Sequence, residues 1–348
     1  MFTVSPLSIV IPALNEADTL PLVLDQLRKQ EAIDLEIIVV DGGSDDGTVE
    51  VADCPGISLV KTVPGRGLQL NVGASRASSP HLLFLHADSI LTSPNQLAEA
   101  VKALEKAQGQ YGHHRVAGHF GLEFQRNQRG SNLAYRYYEE KSALNRMECT
   151  NGDQGFLMSR TFFQELGGFD ESLWFLEDQR LAENIRRAGR WVTLPGRLIT
   201  SARRFEREGL GRRMILSALI MNFHHIGLME FFHRCGDIYR NQDRTGVLQL
   251  APIFQLIKDL NKEAGKTVAL QRWLATGRYV RSHAWQIFFF LDVAFQSLFK
   301  TKTTGSLKFY DRIVKPVLDL PPFDYLTAGL TWLWFVCSGE LFRRSESR

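Results

Sequence analysis

The chain is poor in cysteine, with four in 348 residues, and this scarcity excludes two kinds of small stabilised domain. Cys54, Cys149, Cys235 and Cys337 lie far apart, and none belongs to a CxxC pair. A zinc knuckle needs closely spaced cysteine pairs, and a disulfide framework needs many cysteines in a short chain. We therefore expect free thiols and a protein of the reducing cytoplasm.

Long apolar runs are also missing. No stretch approaches the ~18 to 20 uninterrupted apolar residues of a membrane-spanning helix, and residues 1–6 lack the basic start of a secretory signal. Residues 285–299, which include Asp292, and residues 325–337, which are rich in Trp and Leu, come closest. Each is predicted to be a buried core helix or an interfacial membrane helix, and the latter allows peripheral contact with the inner face of a membrane.

Strong net charge and glycine-rich nucleotide motifs are absent as well. A net charge of +3 does not indicate wholesale binding of nucleic acid. Neither GxGxxG nor GxxxxGKS/T follows a predicted strand, so a Rossmann dinucleotide site and a P-loop lose their main support. With 44% hydrophobic and 23% charged residues, the chain has the composition of a folded protein with one or two domains.

What the sequence does contain is a complete strand, helix, strand unit between Ser8 and Thr48. Residues 8–11 and 36–40 are short β-branched runs, and leucines at helical spacing lie between them. Two such strands joined by one helix form a right-handed parallel crossover, and ligands of these sheets bind outside the carboxyl ends of the strands. Here both ends continue into polar, acidic loops.

The rest of the chain extends this α/β pattern and then becomes helical. Predicted strands cover residues 57–60, 81–85, 116–124, 191–194 and 198–200, and predicted helices cover 68–77, 97–107, 135–147, 179–188 and 214–232. Residues 233–246 are polar and contain two glycines. We therefore predict an α/β domain over residues 1–232 and a helical, aromatic-rich region of unknown role over residues 233–348.

Carboxylates recur at strand ends and helix starts. They are Glu16, the group Asp41, Asp45 and Asp46, then Asp88, and the pair Glu177-Asp178. If the first, second and fourth strands are parallel neighbours, their loops bring several of these charges into one crevice. Like charges in a cleft need a cation. A divalent metal with a phosphorylated ligand would supply it, and oxygen ligands favour Mg or Mn.

At this point the sequence resembles a known family. The motifs SIVIPALNE, VVDGGSDDGT, the helix start around Gly67 and Asn71, LHADS, GGFDE and LEDQRLAENIRRAG occur in the order of family-2 glycosyltransferases. The resemblance covers residues 7–205, and the LHAD form of the fourth motif is similar to a bacterial subgroup. It implies the GT-A fold, a nucleotide-diphosphate sugar as donor, a divalent cation and inverting transfer to an acceptor hydroxyl.

The resemblance also assigns roles to residues. The nucleotide-binding residues would be Pro12, Ala13, Asn15, Glu16, Asp41, Gly43, Arg66, Asn71, His86 and Ala87. Asp88 would bind the metal, and Asp178, next to Glu177, would be the general base. The acceptor side would include Asp153, Gly168 and Asp170. The acceptor itself, whether glycan, lipid or small molecule, is left open.

Two positions depart from the family pattern. His86 stands where the first aspartate of the DxD motif is usual, and Gly42 stands where many members have a second aspartate after Asp41. Either departure implies altered nucleotide choice, weaker metal dependence or lost activity. The alternative is therefore a non-catalytic nucleotide-sugar-binding or scaffold protein that retains the fold. A nucleotidyltransferase is disfavoured, because PALNEADT is not the glycine-rich, basic loop that it needs after the first strand.

Overall fold

The computed structural model of the chain describes residues 5–127, 132–173, 176–240, 246–300 and 304–347. The chain forms two compact units. The first comprises Met1–Gln125 and Ala134–Ser201, and the second comprises Arg126–Leu133 and Ala202–Arg348.

A mixed sheet of eight strands forms the first unit. Its order is β3-β2-β1-β4-β7-β6-β8-β5, in which β1 to β4 are mutually parallel and β7 is antiparallel to both its neighbours. The strands are β1 Leu7–Ala13, β2 Leu35–Asp41, β3 Ile57–Lys61, β4 His81–Phe84, β5 Ile90–Leu91, β6 Val116–Gln125, β7 Phe156–Ser159 and β8 Arg190–Ser201.

Helices cover both faces of the sheet. They are α1 Leu20–Arg28, α2 Thr48–Ala52, α3 Arg66–Arg76, α4 Gln96–Tyr111, α5 Asn132–Ser142, α6 Arg160–Glu165 and α7 Glu177–Ala188, with a 3₁₀ turn at Gly152–Gln154. Successive strand residues point to opposite faces. Ile9 and Ile11 accordingly join the apolar cluster with α1 and α4, whereas Val10 joins the cluster with α3 and α7.

The predicted neighbourhood of the first, second and fourth strands is confirmed. β1 pairs in parallel with β2 on one side and with β4 on the other. The loops that follow Ala13, Asp41 and Phe84 therefore leave the sheet at the same edge. This edge is where the predicted polar and acidic residues meet.

Three features of the sheet differ from the prediction, and one of them is that the two-residue strand β5 was not predicted. β7 was not predicted, because it is a run of four residues whose partners are distant in the chain. The two short strands expected around Pro195-Gly196 are one strand, β8, with a bulge between Thr193 and Arg197 opposite β6. Gly196, at φ +80°, makes this bulge possible without ending the strand.

The second unit is helical. Its helices are α8 Arg203–Glu208, α9 Leu210–His225, α10 Met229–Arg240, α11 Ala251–Ser282, α12 Trp285–Phe299, α13 Gly305–Phe309, α14 Lys315–Leu318 and α15 Pro322–Glu346, with a π-helical segment at Tyr310–Val314. The helix predicted over residues 214–232 is interrupted, because Gly227 adopts φ +72° and separates α9 from α10.

Packing of α11 against α15 forms the centre of this unit, and α11 is broken at Gly265, whose backbone is non-helical at φ +79°. Phe254 of α11 is 1% exposed and stacks on Phe335 with ring centroids 4.9 Å apart. A Cβ on Gly277 would lie 2.5 Å from the backbone nitrogen of Ala328, so the two helices approach closely there. Among the described residues, no helix is long and apolar enough to cross a membrane.

The division between the units lies at Ser201, about thirty residues before the boundary that the sequence analysis placed after Phe232. Helices α9 and α10 pack on α11 of the second unit. The polar stretch after residue 232 suggested a boundary, but the apolar face of α9 is buried against this helical unit. The predicted boundary falls inside α10, and residues 241–245 lie outside the described residues.

Candidate active site

The loops after β1 and β2 are tied together by hydrogen bonds. Asn15, at φ +57°, donates its N–H to Ser44 Oγ at 2.9 Å, and its Oδ1 accepts from the N–H of Asp45 at 3.0 Å. The N–H of Glu16 donates to Thr48 Oγ1 at 2.7 Å. The two predicted nucleotide loops therefore form one fixed surface.

Asp41 is buried at the end of β2 and organises the turn that follows. Its carboxylate accepts from the N–H of Gly43 at 3.0 Å and from the hydroxyl of Ser44 at 2.5 Å. The N–H of Gly42 donates to the carbonyl of Ala13 at 2.9 Å, next to Pro12. Asp41 thus fixes the conformation of the polar loop that follows β2.

Gln69 is a site residue that the sequence analysis missed. Its Nε2 donates to the carbonyls of Ala13 and Val40, at 2.9 and 2.8 Å, and bridges the ends of β1 and β2. A Cβ on Gly42 would lie 2.9 Å from this Nε2. Glycine at position 42 therefore leaves room for Gln69. The sequence feature that could have identified Gln69 is its polar side chain at a position of α3 that faces the sheet.

Arg66, the first residue of α3, is the centre of a charged cluster. Its Nε lies 3.2 Å from Glu177 Oε1, and its guanidinium contacts His86 Nε2. Glu177 is only 2% exposed. Burial and the positive charge of Arg66 hold the pKa of His86 well below its usual value, so the imidazole is neutral and accepts from Arg66.

Asp178 faces the same cluster from the start of α7. Its Oδ2 accepts from the N–H of Gly152 at 2.7 Å. Gln179 continues this connection, because its Nε2 donates to Asn151 Oδ1 at 2.7 Å. A Cβ on Gly152 would lie 3.0 Å from Asp178 Oδ2, so glycine permits the close approach. The 3₁₀ turn and α7 are joined at this point.

Asp153 has an unusual environment. Its Oδ1 is inaccessible to solvent and has no hydrogen-bond partner among the described residues. Burial is the main cause that raises the pKa of Asp153 to about 7; the negative charges of Asp178 and Asp88 act in the same direction, and Arg66 opposes them. Burial also raises the pKa of Glu177, against the effect of Arg66. Two neighbouring carboxyls are therefore easier to protonate than in water.

Asp88 follows β4 after His86 and the buried Ala87, and it is half-buried. Asp88 and Asp178 are both near enough to act electrostatically on Asp153. Within the described parts of the chain, however, no three acidic, His or Cys side chains form a complete metal site. A divalent ion fits here only with additional oxygen ligands, such as those of a diphosphate, which is how Mg²⁺ commonly binds.

The predicted residues Asn71, Gly168 and Asp170 lie at the neighbouring GGFDE loop. Asn71 Nδ2 donates to the carbonyl of Phe169 at 2.9 Å and to Glu171 Oε1 at 2.8 Å, and its Oδ1 accepts from the N–H of Phe169. The Asp170 carboxylate accepts from the N–H and hydroxyl of Ser172. The side chains of Asn71 and Asp170 thus hold this loop in shape.

A small pocket opens between the cluster and this loop. Its lining residues are Arg66, Leu70, Phe84, Leu85, His86, Gly152, Phe156, Phe169 and Asp178. The structure therefore brings three predicted site residues into one pocket. The predicted residues at the ends of β1 and β2 lie at the same sheet edge without lining it.

Residues 8–167 match the family model described as glycosyl transferase family 2. This region, a little under half of the chain, is therefore similar to glycosyltransferase family 2. The matched region begins in β1 and ends at Gly167, the first residue of the GGFDE loop, so it includes Arg66, the LHADS segment and the 3₁₀ turn with Asp153.

Curated relatives are similar over part of the chain. A PGL/p-HBAD biosynthesis glycosyltransferase of Mycobacterium bovis is 37% identical over 98 residues, which are 26% of this chain and 38% of that protein. A 4,4'-diaponeurosporenoate glycosyltransferase of Staphylococcus haemolyticus is 31% identical over 114 residues, or 30% of each chain. The chain thus matches about a third of the length of these relatives.

The fold is that of the GT-A glycosyltransferases, as the sequence analysis predicted. A mannosyltransferase from Pyrobaculum calidifontis, solved with GDP-Man and Mn²⁺, is similar with a TM-score of 0.50 at 19% identity. The likeness covers 97% of this chain and 87% of that one.

The two departures from the family-2 pattern have local structural reasons. Gly42 gives space to Gln69, and His86 accepts from Arg66, which in turn pairs with the buried Glu177. Gly42 and His86 are therefore both packed against other residues at this edge of the sheet.

Proposed function

We propose that the protein transfers a sugar from a nucleotide-diphosphate sugar to an acceptor hydroxyl, with inversion at the anomeric carbon. The observation that carries the proposal is the cluster of Arg66, Glu177, Asp178 and Asp153 at the carboxyl edge of the sheet, in which Asp153 Oδ1 has no hydrogen-bond partner among the described residues. Parallel sheets bind ligands at this edge. The similar curated proteins named above are themselves called glycosyltransferases.

In this proposal the fixed loops after β1 and β2 receive the nucleoside. Pro12, Ala13, Asn15 and Glu16 line one side, and Asp41 with Gly43 shapes the other. Arg66 lies at the start of α3, where the helix dipole adds to its charge, and it would bind the diphosphate. His86 and Ala87 follow β4 next to it, and Asn71 acts by holding the GGFDE loop.

Asp88, with oxygens of the donor diphosphate, would hold a divalent ion, Mg or Mn. When bound, this ion would neutralise charge on the departing diphosphate. The positive charge of Arg66 would also neutralise part of the negative charge on the departing diphosphate. Its guanidinium is held by Glu177 and His86, so its position is set before the donor arrives.

Asp178 would be the general base. The acceptor oxygen would form a bond to the anomeric carbon while the bond from that carbon to the diphosphate oxygen breaks. The acceptor proton would pass to Asp178, and the nucleoside diphosphate would leave. The hydrogen bond from Gly152 fixes Asp178 Oδ2, which limits the orientations of the carboxylate. Asp153 would lie on the acceptor side, with Gly168 and Asp170 shaping the loop beside it.

The alternative of a non-catalytic scaffold rested on His86 and Gly42. Both residues have specific contacts at the sheet edge, so neither position favours a decayed site. The cytoplasmic location is part of the same proposal, and it is supported by four cysteines that form no disulfide.

A thermal-shift screen tests the proposal. The full chain would be heated with UDP, GDP, CDP and dTDP sugars, each with Mn²⁺ or with EDTA. A metal-dependent rise in melting temperature for one nucleotide is the expected result, because a ligand that binds only the folded state stabilises it. Release of that nucleoside diphosphate with an added acceptor would then establish transfer. The absence of any shift and of any release would overturn the proposal.

A further inference from the structure

The exposed apolar residues of the chain are concentrated in one part of the second unit. Of 28 large apolar side chains exposed in the described parts of the chain, 18 lie between Ile287 and Leu341. They belong to α12, to residues 305–320 and to α15. We call these 18 side chains the apolar face. Monomeric proteins rarely expose apolar patches of this extent without a partner.

Helix α12 is apolar on two opposite sides. Trp285, Phe289 and Val293 are buried, whereas Ile287 and Leu298 are 65% and 75% exposed. Its one ionisable residue, Asp292, is buried and accepts from the N–H groups at the start of α13. A helix that packs on a core and faces water normally has a polar outer side. The outer side of α12 therefore suits an apolar environment.

Helix α15 has the same property. Residues 325–339 contain no charged side chain. Ala328 and Phe335 are buried, and Leu326, Leu330 and Leu333 recur on the outer side with more than half of their surface exposed. This stretch is about 22 Å long at 1.5 Å per residue. It is shorter than the ~30 Å hydrocarbon core of a bilayer, so it can lie along an interface but cannot span it.

Contacts join the apolar elements near the end of α11. Phe288 of α12 lies 5.1 Å from Tyr310, measured between ring centroids. Arg281, in the last turn of α11, pairs with Asp319 and with Asp324 at the start of α15. Helix α12, residues 305–320 and the first turns of α15 are therefore neighbours.

The charges that remain available beside the apolar face are positive. Asp319 and Asp324 are paired with Arg281, and Glu340 is paired with Arg343 and Arg344. In contrast, Lys300, Lys308 and Arg312 form no ion pair with any described residue and are exposed. Residues 202–348 as a whole contain 22 Lys and Arg against 13 Asp and Glu.

We propose that the apolar face docks on the surface of an anionic lipid bilayer. Exposed Phe, Leu and Ile would enter the acyl boundary, exposed Trp332, Trp334 and Tyr325 suit the headgroup level, and the basic side chains would contact lipid phosphates. A second copy of the chain would supply apolar area, but it would bring the same unpaired positive charges. This inference concerns the second unit and does not depend on the transfer reaction.

Flotation with vesicles tests the proposal on the full chain. Phosphatidylcholine vesicles would be compared with vesicles that also contain one quarter phosphatidylglycerol. We expect the chain to float with the anionic vesicles and to bind pure phosphatidylcholine about tenfold or more weakly, because each basic residue near an anionic surface contributes about fivefold. Binding to the anionic vesicles should weaken at high salt.

Matched variants separate docking from folding. Leu298→Glu combined with Leu330→Glu should weaken vesicle binding by about tenfold or more per leucine. The control is Leu22→Glu in α1, because Leu22 and Leu330 are equally exposed, at 57%, and it should bind as the wild type does. Lys308→Glu combined with Arg312→Glu should remove the preference for anionic lipid, whereas Arg76→Glu in α3 should preserve it.

Two results would overturn the proposal. One is a wild-type chain that floats with neither kind of vesicle. The other is a wild-type dimer in size-exclusion chromatography that the double leucine variant dissociates, with equal flotation of both proteins; the apolar face would then be a subunit interface. Unchanged melting temperatures would show that the variants are folded.

Discussion

The two units handle apolar residues in opposite ways. In the first unit, strands such as β1 are buried on both faces, and the polar side chains gather at one edge of the sheet. In the second unit, α11 and α15 bury one side against each other and expose another. The charges differ as well, since residues 1–201 contain 19 Lys and Arg against 25 Asp and Glu, the reverse of residues 202–348. The first unit has the character of a ligand site, and the second has that of an interaction surface.

The largest expected effect concerns the proposed base and tests whether chemistry belongs to the first unit alone. Asp178→Asn should lower the rate of transfer by about 10² to 10⁴, because it removes a positioned general base. Vesicle flotation should be unchanged. The measurement is release of nucleoside diphosphate, with Glu183→Gln on the same helix as the control. Near wild-type turnover in Asp178→Asn would show that another group is the base.

A smaller effect is expected for donor binding. Arg66→Ala should weaken the affinity for the donor by about 10- to 100-fold, since a charged hydrogen bond to the diphosphate is lost. Calorimetry with the donor found in the thermal-shift screen measures it. Arg76→Ala, at the other end of α3, serves as control. If both variants bind the donor equally, Arg66 does not contact it.

A substitution in the second unit tests whether the two units act separately. Gly277→Ala should lower the melting temperature by about 5 °C or more, because the new methyl group meets the backbone of Ala328. Vesicle binding should fall with it, while the donor-induced shift stays. Gly329→Ala has free space around its Cβ and should cost nothing. Loss of donor binding in Gly277→Ala would mean that the two units do not act separately.

The smallest effect is a pH dependence. Because the pKa of Asp153 is raised to about 7, the folded chain binds an extra proton between about pH 4 and 7 that the unfolded chain releases. This contribution lowers stability as the pH rises through that window. Asp153→Asn should therefore melt at the wild-type temperature near pH 4 and about 2–4 °C higher at pH 8, in EDTA without donor. Equal melting temperatures at pH 8 would contradict the raised pKa.

Local patterns were sufficient for the parallel part of the sheet. The β-branched runs of β1 and β2, the helix between them and the polar loops at their ends follow from residue types and spacing alone. The resemblance to the family also indicated Arg66, Asp153 and Asp178, which the structure brings to one cluster.

Contacts between distant residues could not be predicted in the same way. β7 has only four residues, and Gln69 bonds to main-chain carbonyls, which carry no mark in the sequence. The break of the helix at Gly227 depends on backbone conformation that glycine allows but does not require. The division of the chain at Ser201 was missed because α9 looks like the continuation of an α/β domain until its packing is known.

The bonds that join Asn15 to Ser44 and Asp45 have a thermodynamic consequence. They immobilise both strand-end loops during folding, so little conformational entropy is left to lose when a ligand arrives. Selectivity at this edge would then arise from the shape of a rigid surface. A change such as Thr48→Val, which removes the acceptor of the Glu16 N–H, would weaken binding through loop disorder without touching the ligand.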